Sequence, residues 1–412
     1  MHTFSLRGIA AAALLAAASI GASAATGTDI YEFQDLKGNN AGMKPVGALV
    51  ADKTGHLYGN TQYGGPASAG TAYEMTPVGD GSWTHTVLWV YSTQSPAGAW
   101  PTTGLVPGPD GALYGTTTLG STGGFGSVFR LYKTATGAWK TQVLHAFDSA
   151  ADGSAPAGPL VFDAAGNLWG TLSTGGPGGQ GSVFRLSRQD GKVTWQIMWQ
   201  FAGAPNDGAT PVGSLAVGAD GKVYGATQGG GAFGLGAIWR LTAAKKGTTM
   251  DKLFDFRGDN GMMPLGGVAI DAKGTLYGTA SGGAANGGGV VFSLTPDGGA
   301  FDYAVLHAFA GGSEGWAPGA PVTLGAKGLV FGTTQFGGGG STTGGGTVFQ
   351  LAQAKDGSWG FSTLFSAASV LDSMPYAVTP AADGKSLFTS QTLGDGVIGL
   401  GGYKGNLLQV AP

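Results

Sequence analysis

The sequence predicts an all-β fold, a seven-bladed β-propeller of four-stranded blades whose last blade is closed by the N-terminal strand. Three observations predict it. One unit recurs at a spacing near 55 residues, each unit reads as strands with no helix, and the last unit stops one strand short while a matching strand stands before the first. Composition allows such a fold and excludes others. The 412 residues include 81 Gly and no Cys; 42% are hydrophobic and 11% charged, with a formal net charge of −3. That is enough apolar material for a core, and no Gly-X-Y period points to collagen. With 21 Lys+Arg against 24 Asp+Glu and no basic stripe, neither a nucleic-acid partner nor a polybasic membrane anchor is expected.

The first element is an export signal. Met1, His2 and Arg7 make a short basic start, residues 9–20 are apolar, and Ala22-Ser23-Ala24 is a small-residue cleavage site, so residues 1–24 read as a signal peptide cut before Ala25. The apolar run is shorter than the ~20 residues a spanning helix needs. No membrane span is expected after cleavage, and residues 25–412 read as one propeller domain. The absence of Cys removes both a lipid-attachment site and a disulfide framework, and residues 407–412 show no C-terminal anchor. The expected location is secreted or periplasmic.

The repeat comes next. GHLYGNTQYGGPASAGTAYEM begins at Gly55, GALYGTTTLGSTGGFGSVFRL at Gly111 and GNLWGTLSTGGPGGQGSVFRL at Gly166, with further copies from Gly221, Gly274 and Gly328. The Gly that follows the aromatic stands at Gly59, Gly115, Gly170, Gly225, Gly278 and Gly332, spacings of 56, 55, 55, 53 and 54 residues. A degenerate seventh copy begins at Gly384, with Phe388 followed by Thr389. In the third copy residues 159–162 predict a first strand, 163–166 a tight turn, 167–171 a second strand, 173–181 a Gly-rich loop, 182–186 a third strand and 193–201 a fourth. The fourth strand carries its own signature, as in Leu144-His145-Ala146-Phe147 and Leu306-His307-Ala308-Phe309. An orphan copy, Ile30-Tyr31-Glu32-Phe33, precedes the first unit, and pairing it with the incomplete seventh unit closes the ring. An open solenoid would leave that strand without a partner.

The Tyr-Gly-Thr-Thr, Gly-Gly and Gly-x-Val-Phe pattern at this spacing resembles the GloVer-repeat, "choice-of-anchor" family of exported bacterial proteins. The resemblance covers almost the whole mature chain and implies an exported bacterial propeller with a variable C-terminal anchor. This chain departs from the family by having no such anchor. The family contributes no catalytic residues.

In a four-stranded blade the loop from the second strand to the third and the loop from the fourth to the next blade emerge on one face, around the mouth of the central channel. The blade connections place Trp100, Asp152, Asp207, Arg257, Asp259, Glu314, Trp316 and Asp372 there, and these are the candidate ligand-binding residues. Carboxylates, amides and two Trp suit sugar hydroxyls and pyranose faces, which points to a polysaccharide or cell-surface glycan. The same Asp or Asn before Gly is also ordinary turn chemistry. An enzyme, a polysaccharide lyase or glycoside hydrolase, would draw its acid and base from Asp152, Asp207, Asp259, Arg257 and Glu314. A protein-binding platform is the third reading.

Other motifs carry less. Gly384-Lys385-Ser386 lacks the first Gly of a phosphate loop, and Gly311-x-Ser313-x-Gly315 lacks a strand-to-helix elbow. His145 and His307 occupy a place that accepts Trp or Phe elsewhere, which marks a packing position. Arg130, Arg185 and Arg240 recur on the third strand, where pairing across blades is expected. No metal motif and no cofactor fingerprint is present, and a monomer is expected.

Overall fold

A computed structural model describes residues 27–33, 41–148, 152–176, 178–189, 191–244, 247–339, 344–367, 375–382, 384–392 and 405–411. Residues 1–24, read from the sequence as a signal peptide, and the expected cleavage site before Ala25 lie outside them. The described residues form seven antiparallel sheets arranged as a propeller and no α-helix; their helical turns are the 3-10 segments Gly312–Glu314 and Ala326–Gly328.

Each sheet pairs its strands in chain order. In blade 1 the order from the axis outward is Met43–Ala51, Leu57–Tyr63, Thr71–Pro77 and Trp83–Val90. Blade 7 supplies Thr379–Pro380, Leu387–Thr392 and Gly405–Val410 from the C-terminal end. Its outermost strand is Gly27–Phe33, paired antiparallel with Gly405–Val410 from Gly27 opposite Val410 to Phe33 opposite Gly405. The ring closes as the orphan strand predicts.

The unit's signature follows from one steric arrangement. The Gly after each Tyr, Trp or Phe of the second strand lies opposite an aromatic of the third: Gly59 opposite Tyr73, Gly115 opposite Phe129, Gly170 opposite Phe184, Gly225 opposite Trp239, Gly278 opposite Phe292 and Gly332 opposite Phe349. At all six a β-carbon would fall inside the facing ring. In blade 7 Thr389 replaces the Gly and Leu408 replaces the ring, so the seventh copy is degenerate in a compensated way.

The fourth strand has a β-bulge at one place in all seven blades, opposite the step from Ala72 to Tyr73 in blade 1, from Val128 to Phe129 in blade 2 and, in blade 7, at Ile30 between Asp29 and Tyr31. Two consecutive residues, such as Leu144 and His145, then face one partner position, which is why the signature breaks the alternation of a strand. In four blades the second of the pair stacks on the outer strand of the next blade. His145 lies on Trp195 (centroids 3.8 Å, planes 4° apart), Phe254 on Tyr303 (4.0 Å, 4°), His307 on Phe361 (4.0 Å, 9°) and Tyr31 on His85 (4.5 Å, 8°). At the seam of blades 6 and 7, Phe365 fills the space a β-carbon on Gly27 would need. His145 and His307 are packing residues, as expected. Among the described residues seven apolar clusters each bridge two successive blades, so the core is distributed as one layer per seam.

Two expectations are corrected. The innermost strand starts earlier than residues 159–162 suggest. In blade 3 it consists of two pieces, Ser154–Pro156 and Val161–Phe162, both paired with Leu168–Thr174, and in blade 4 a single bulged strand spans Gly208–Val217. In blades 2 and 6 the residues read as blade connections make isolated bridges beside the second strand instead, Ala99 with Leu119 and Trp316 with Phe336. The polar partners of the recurring arginines lie within their own blades, Arg130 with Asp110 at 2.7 Å, Arg240 with Asp251 at 2.7 Å, and Arg185 with Gln196 at 2.5 Å, while Arg240 alone also reaches across a seam, 6.0 Å from the Phe301 ring centre of blade 5. Both partners of each pair lie on strands or turns of one sheet, where register sets them side by side.

Candidate functional site

The two faces of the ring differ in how they treat aromatic side chains. On the face of tight turns, Tyr58, Tyr114, Tyr224 and Tyr277 donate their hydroxyls, and Trp169 its indole N-H, to the turn aspartates Asp52, Asp110, Asp220, Asp271 and Asp163. Burial alone would raise the Asp163 carboxyl, yet hydrogen bonds from Trp169, Asn167 and Ala165 hold it below the usual range. Their rings pack on the following blade, as Tyr114 does edge-on to Phe162 and Tyr277 to Trp359.

The opposite face carries the loops from second to third strand and from fourth strand to next blade. Every exposed Phe, Tyr or Trp among the described residues lies there: Trp100, Phe125, Phe233 and Trp316. Phe125 and Phe233 sit on the Gly-rich loops of blades 2 and 4. Trp100 and Trp316 lie at isolated bridges ahead of the inner strands, one and two residues before a proline that recurs as Pro45, Pro101, Pro156, Pro211, Pro264, Pro318 and Pro375. That proline packs on a Gly of the preceding blade, Pro211 on Gly181 and Pro318 on Gly289. The residue before it has φ between 54° and 57° at Lys44, Trp100, Ala155, Thr210, Met263 and Ala317. Its N-H reaches back to the preceding blade, from Trp100 to the Ala69 carbonyl and from Ala317 to the Gly288 carbonyl, both 2.9 Å. A left-handed backbone at a non-Gly residue is held here by a hydrogen bond and a proline together.

The candidate acids divide from the candidate aromatics. Asp152 is buried, its Oδ2 2.6 Å from His145 Nε2 and accepting the Asp148 N-H at 3.1 Å. Asp207 accepts from Trp199 Nε1 (3.3 Å), Ala202 N-H (3.0 Å) and Gly208 N-H (2.7 Å). Glu314 Oε2 lies 3.2 Å from His307 Nε2 and accepts the Ala310 N-H; burial holds the His307 imidazole below its ordinary range although Glu314 works the other way. All three turn into the wall and tie the ring nitrogen of the fourth strand to the connection that follows it. Where that ring is Phe254, the equivalent position is Asn260, which accepts the Arg257 N-H instead. Arg257 and Asp259 form an exposed ion pair at 2.7 Å. Trp316 stacks on Phe336 (4.5 Å, 28°), and Trp100 stands edge-on to Tyr63 (6.4 Å, 68°). Asp372 lies outside the described residues. Among those described, no group of three His, Cys, Asp or Glu could hold a metal ion. Tyr63, Phe336, Phe125 and Phe233 were not singled out by sequence; the break in the repeat at those loop positions is the signal that marks them.

The model of the Gloeobacter/Verrucomicrobia repeat matches residues 22–219 and 160–400. The chain belongs to this repeat family. Among solved structures, this member of the Gloeobacter/Verrucomicrobia repeat family is similar to a candidate 6-phosphogluconolactonase from Bacteroides uniformis at 15% identity and a TM-score of 0.51, covering 83% of this chain and 93% of that one. A candidate oxidoreductase (glucose dehydrogenase) from Thermus thermophilus aligns at 14% identity and a TM-score of 0.43, covering 94% and 99% of the two chains. The first likeness shows the fold alone, and the second carries no argument. No curated protein matches the chain. Among the described residues no helix is long and apolar enough to cross a membrane.

Proposed function

We propose that this is an exported recognition protein whose loop face binds a glycan. The observation that carries the reading is the confinement of exposed aromatic side chains to that face. An exposed indole or phenyl ring offers a flat apolar surface to the C-H face of a pyranose, and the Ser, Thr and Gln side chains around it offer partners for hydroxyls. The enzyme reading is weaker because Asp152, Asp207 and Glu314 are engaged with ring nitrogens and backbone N-H groups, which leaves them poorly placed to exchange protons with a substrate. The signal-peptide reading of residues 1–24 supports a secreted or periplasmic location.

The test is to incubate the mature chain, residues 25–412, with a panel of bacterial and plant polysaccharides, recording melting temperature and released sugars. The expected result is a raised melting temperature without products. Release of shorter sugars would place the enzyme reading first, and silence in both would remove the glycan.

A further inference from the structure

We infer that the ring carries an acid-sensitive latch at the seam of blades 7 and 1, where protonation of His85 frees the N-terminal strand Gly27–Phe33 while the other blades stay closed.

That strand is the outermost of blade 7 and pairs on one side alone, with Gly405–Val410. No described strand precedes it in the chain, so it can leave without drawing another with it. Its grip on blade 1 is made by side chains. Phe33 is buried with Leu57, Tyr73 and Met75, and Tyr31 lies flat on His85 (centroids 4.5 Å, planes 8° apart). His85 comes from the outer strand of blade 1, opposite Met75 in register, with Phe33 edge-on at 5.7 Å and Tyr73 at 5.4 Å. A charge on this imidazole therefore falls inside the contact that holds the strand.

The described residues around His85 offer that charge no partner. Its Nε2 and the Tyr73 hydroxyl are both buried and without a hydrogen bond among the described residues. The groups that titrate nearby are Tyr31 and Tyr73, whose hydroxyls burial pushes up and keeps neutral, and Asp29 and Glu32, which are exposed on the N-terminal strand. Glu74, on the third strand of blade 1, is taken by His56 and Tyr58 at 2.8 Å each, and Gly405–Val410 carries no ionisable side chain. Two other seams are built differently. His145 stands 2.6 Å from Asp152 and His307 3.2 Å from Glu314, so a proton taken up there makes an ion pair. At His85 burial lowers the pKa from 6.5 to about 4. Once the strand is released the ring meets water and titrates near 6.5, so the closed seam is favoured in full above pH 6.5 and loses ground as pH falls toward 4. At pH 5 the open form gains about thirtyfold over its share at pH 7.5.

The test is hydrogen-deuterium exchange of the mature chain, residues 25–412, at pH 7.5 and pH 5, with exchange times scaled for the intrinsic rate. Protection of the hydrogen-bonded amides in residues 27–33 should fall by about thirtyfold at pH 5. Strand Gly247–Asp255, at the seam where Phe254 lies on Tyr303 and the stack holds no imidazole, should change by less than about threefold. His85→Phe installs the side chain that Phe361 supplies at the same place in blade 6, and it should hold residues 27–33 to within about threefold between the two pH values. Tyr73→Phe removes the stranded hydroxyl and should raise protection at both pH values with the thirtyfold ratio intact. An unchanged strand 27–33 at pH 5, an equal loss across all blades, a fall that persists in His85→Phe, or a ratio abolished by Tyr73→Phe would each overturn the latch.

Discussion

A β-carbon on Gly170 would lie inside the ring of Phe184, and the same exclusion holds at five other glycines. The motif therefore records a shared volume, and the Thr389 and Leu408 exchange in blade 7 is the one other solution on the chain. His85 is a buried imidazole at a seam. It lies between Tyr31, Phe33 and Tyr73 at the seam where the N-terminal strand meets blade 1, and its Nε2 has no partner among the described residues. Burial lowers its pKa from 6.5 to about 4. The unfolded chain thus takes up a proton near pH 6.5 that the folded ring refuses until about pH 4. Stability from this group is complete above pH 6.5, declines as pH falls to about 4, and the loss amounts to about 3 kcal/mol. Urea unfolding from pH 7.5 to 4 should show that decline, and His85→Phe should flatten it; a slope unchanged in the variant would mean that other groups set the acid limit. The spacing of the glycines was legible in the sequence because a shared volume leaves two coupled positions at a fixed distance. The isolation of His85 was not, since it depends on which rings the closure brings around it.

At the scale of the element, the connection from fourth strand to next blade explains why an acid precedes Gly in several copies. Asp207 satisfies an indole N-H and two backbone N-H groups at once, and Asp152 and Glu314 do the same work for His145 and His307. Blade 1 has Trp89 with Ala97 in the acid's place, and Trp89 Nε1 finds no partner among the described residues. Asp207→Ala should cost about 1 kcal/mol, because it removes the one acceptor shared by the Trp199 indole and the Ala202 and Gly208 N-H groups. Its melting temperature should fall while polysaccharide affinity stays the same; unchanged melting with lost affinity would mean that Asp207 is a ligand residue. The sequence showed that an acid recurs but could not tell turn from ligand, since both uses ask for the same residue type before Gly. It also hid the upper half of the inner strand, where Pro and Gly interrupt the alternation that marks a strand, although the recurring proline from Pro45 to Pro375 was in plain view.

The whole molecule is a ring of like blades made unlike on one face. Ring closure was readable because a strand without a partner and a unit missing one strand can only be reconciled by pairing them, and Gly27–Phe33 beside Gly405–Val410 is that pairing. The confinement of the exposed rings to the loop face was not readable, because it needs the blades arranged in space and the acids Asp152, Asp207 and Glu314 seen engaged by their own connections. The central claim is that recognition belongs to the loop face and to the rings exposed on it. Hydrogen-deuterium exchange of the mature chain with and without a bound polysaccharide tests it most directly. The account predicts new protection at residues 98–101, 118–126, 315–318 and 335–338. Protection confined to the opposite turns, such as 52–56, 218–222 and 271–275, would contradict it.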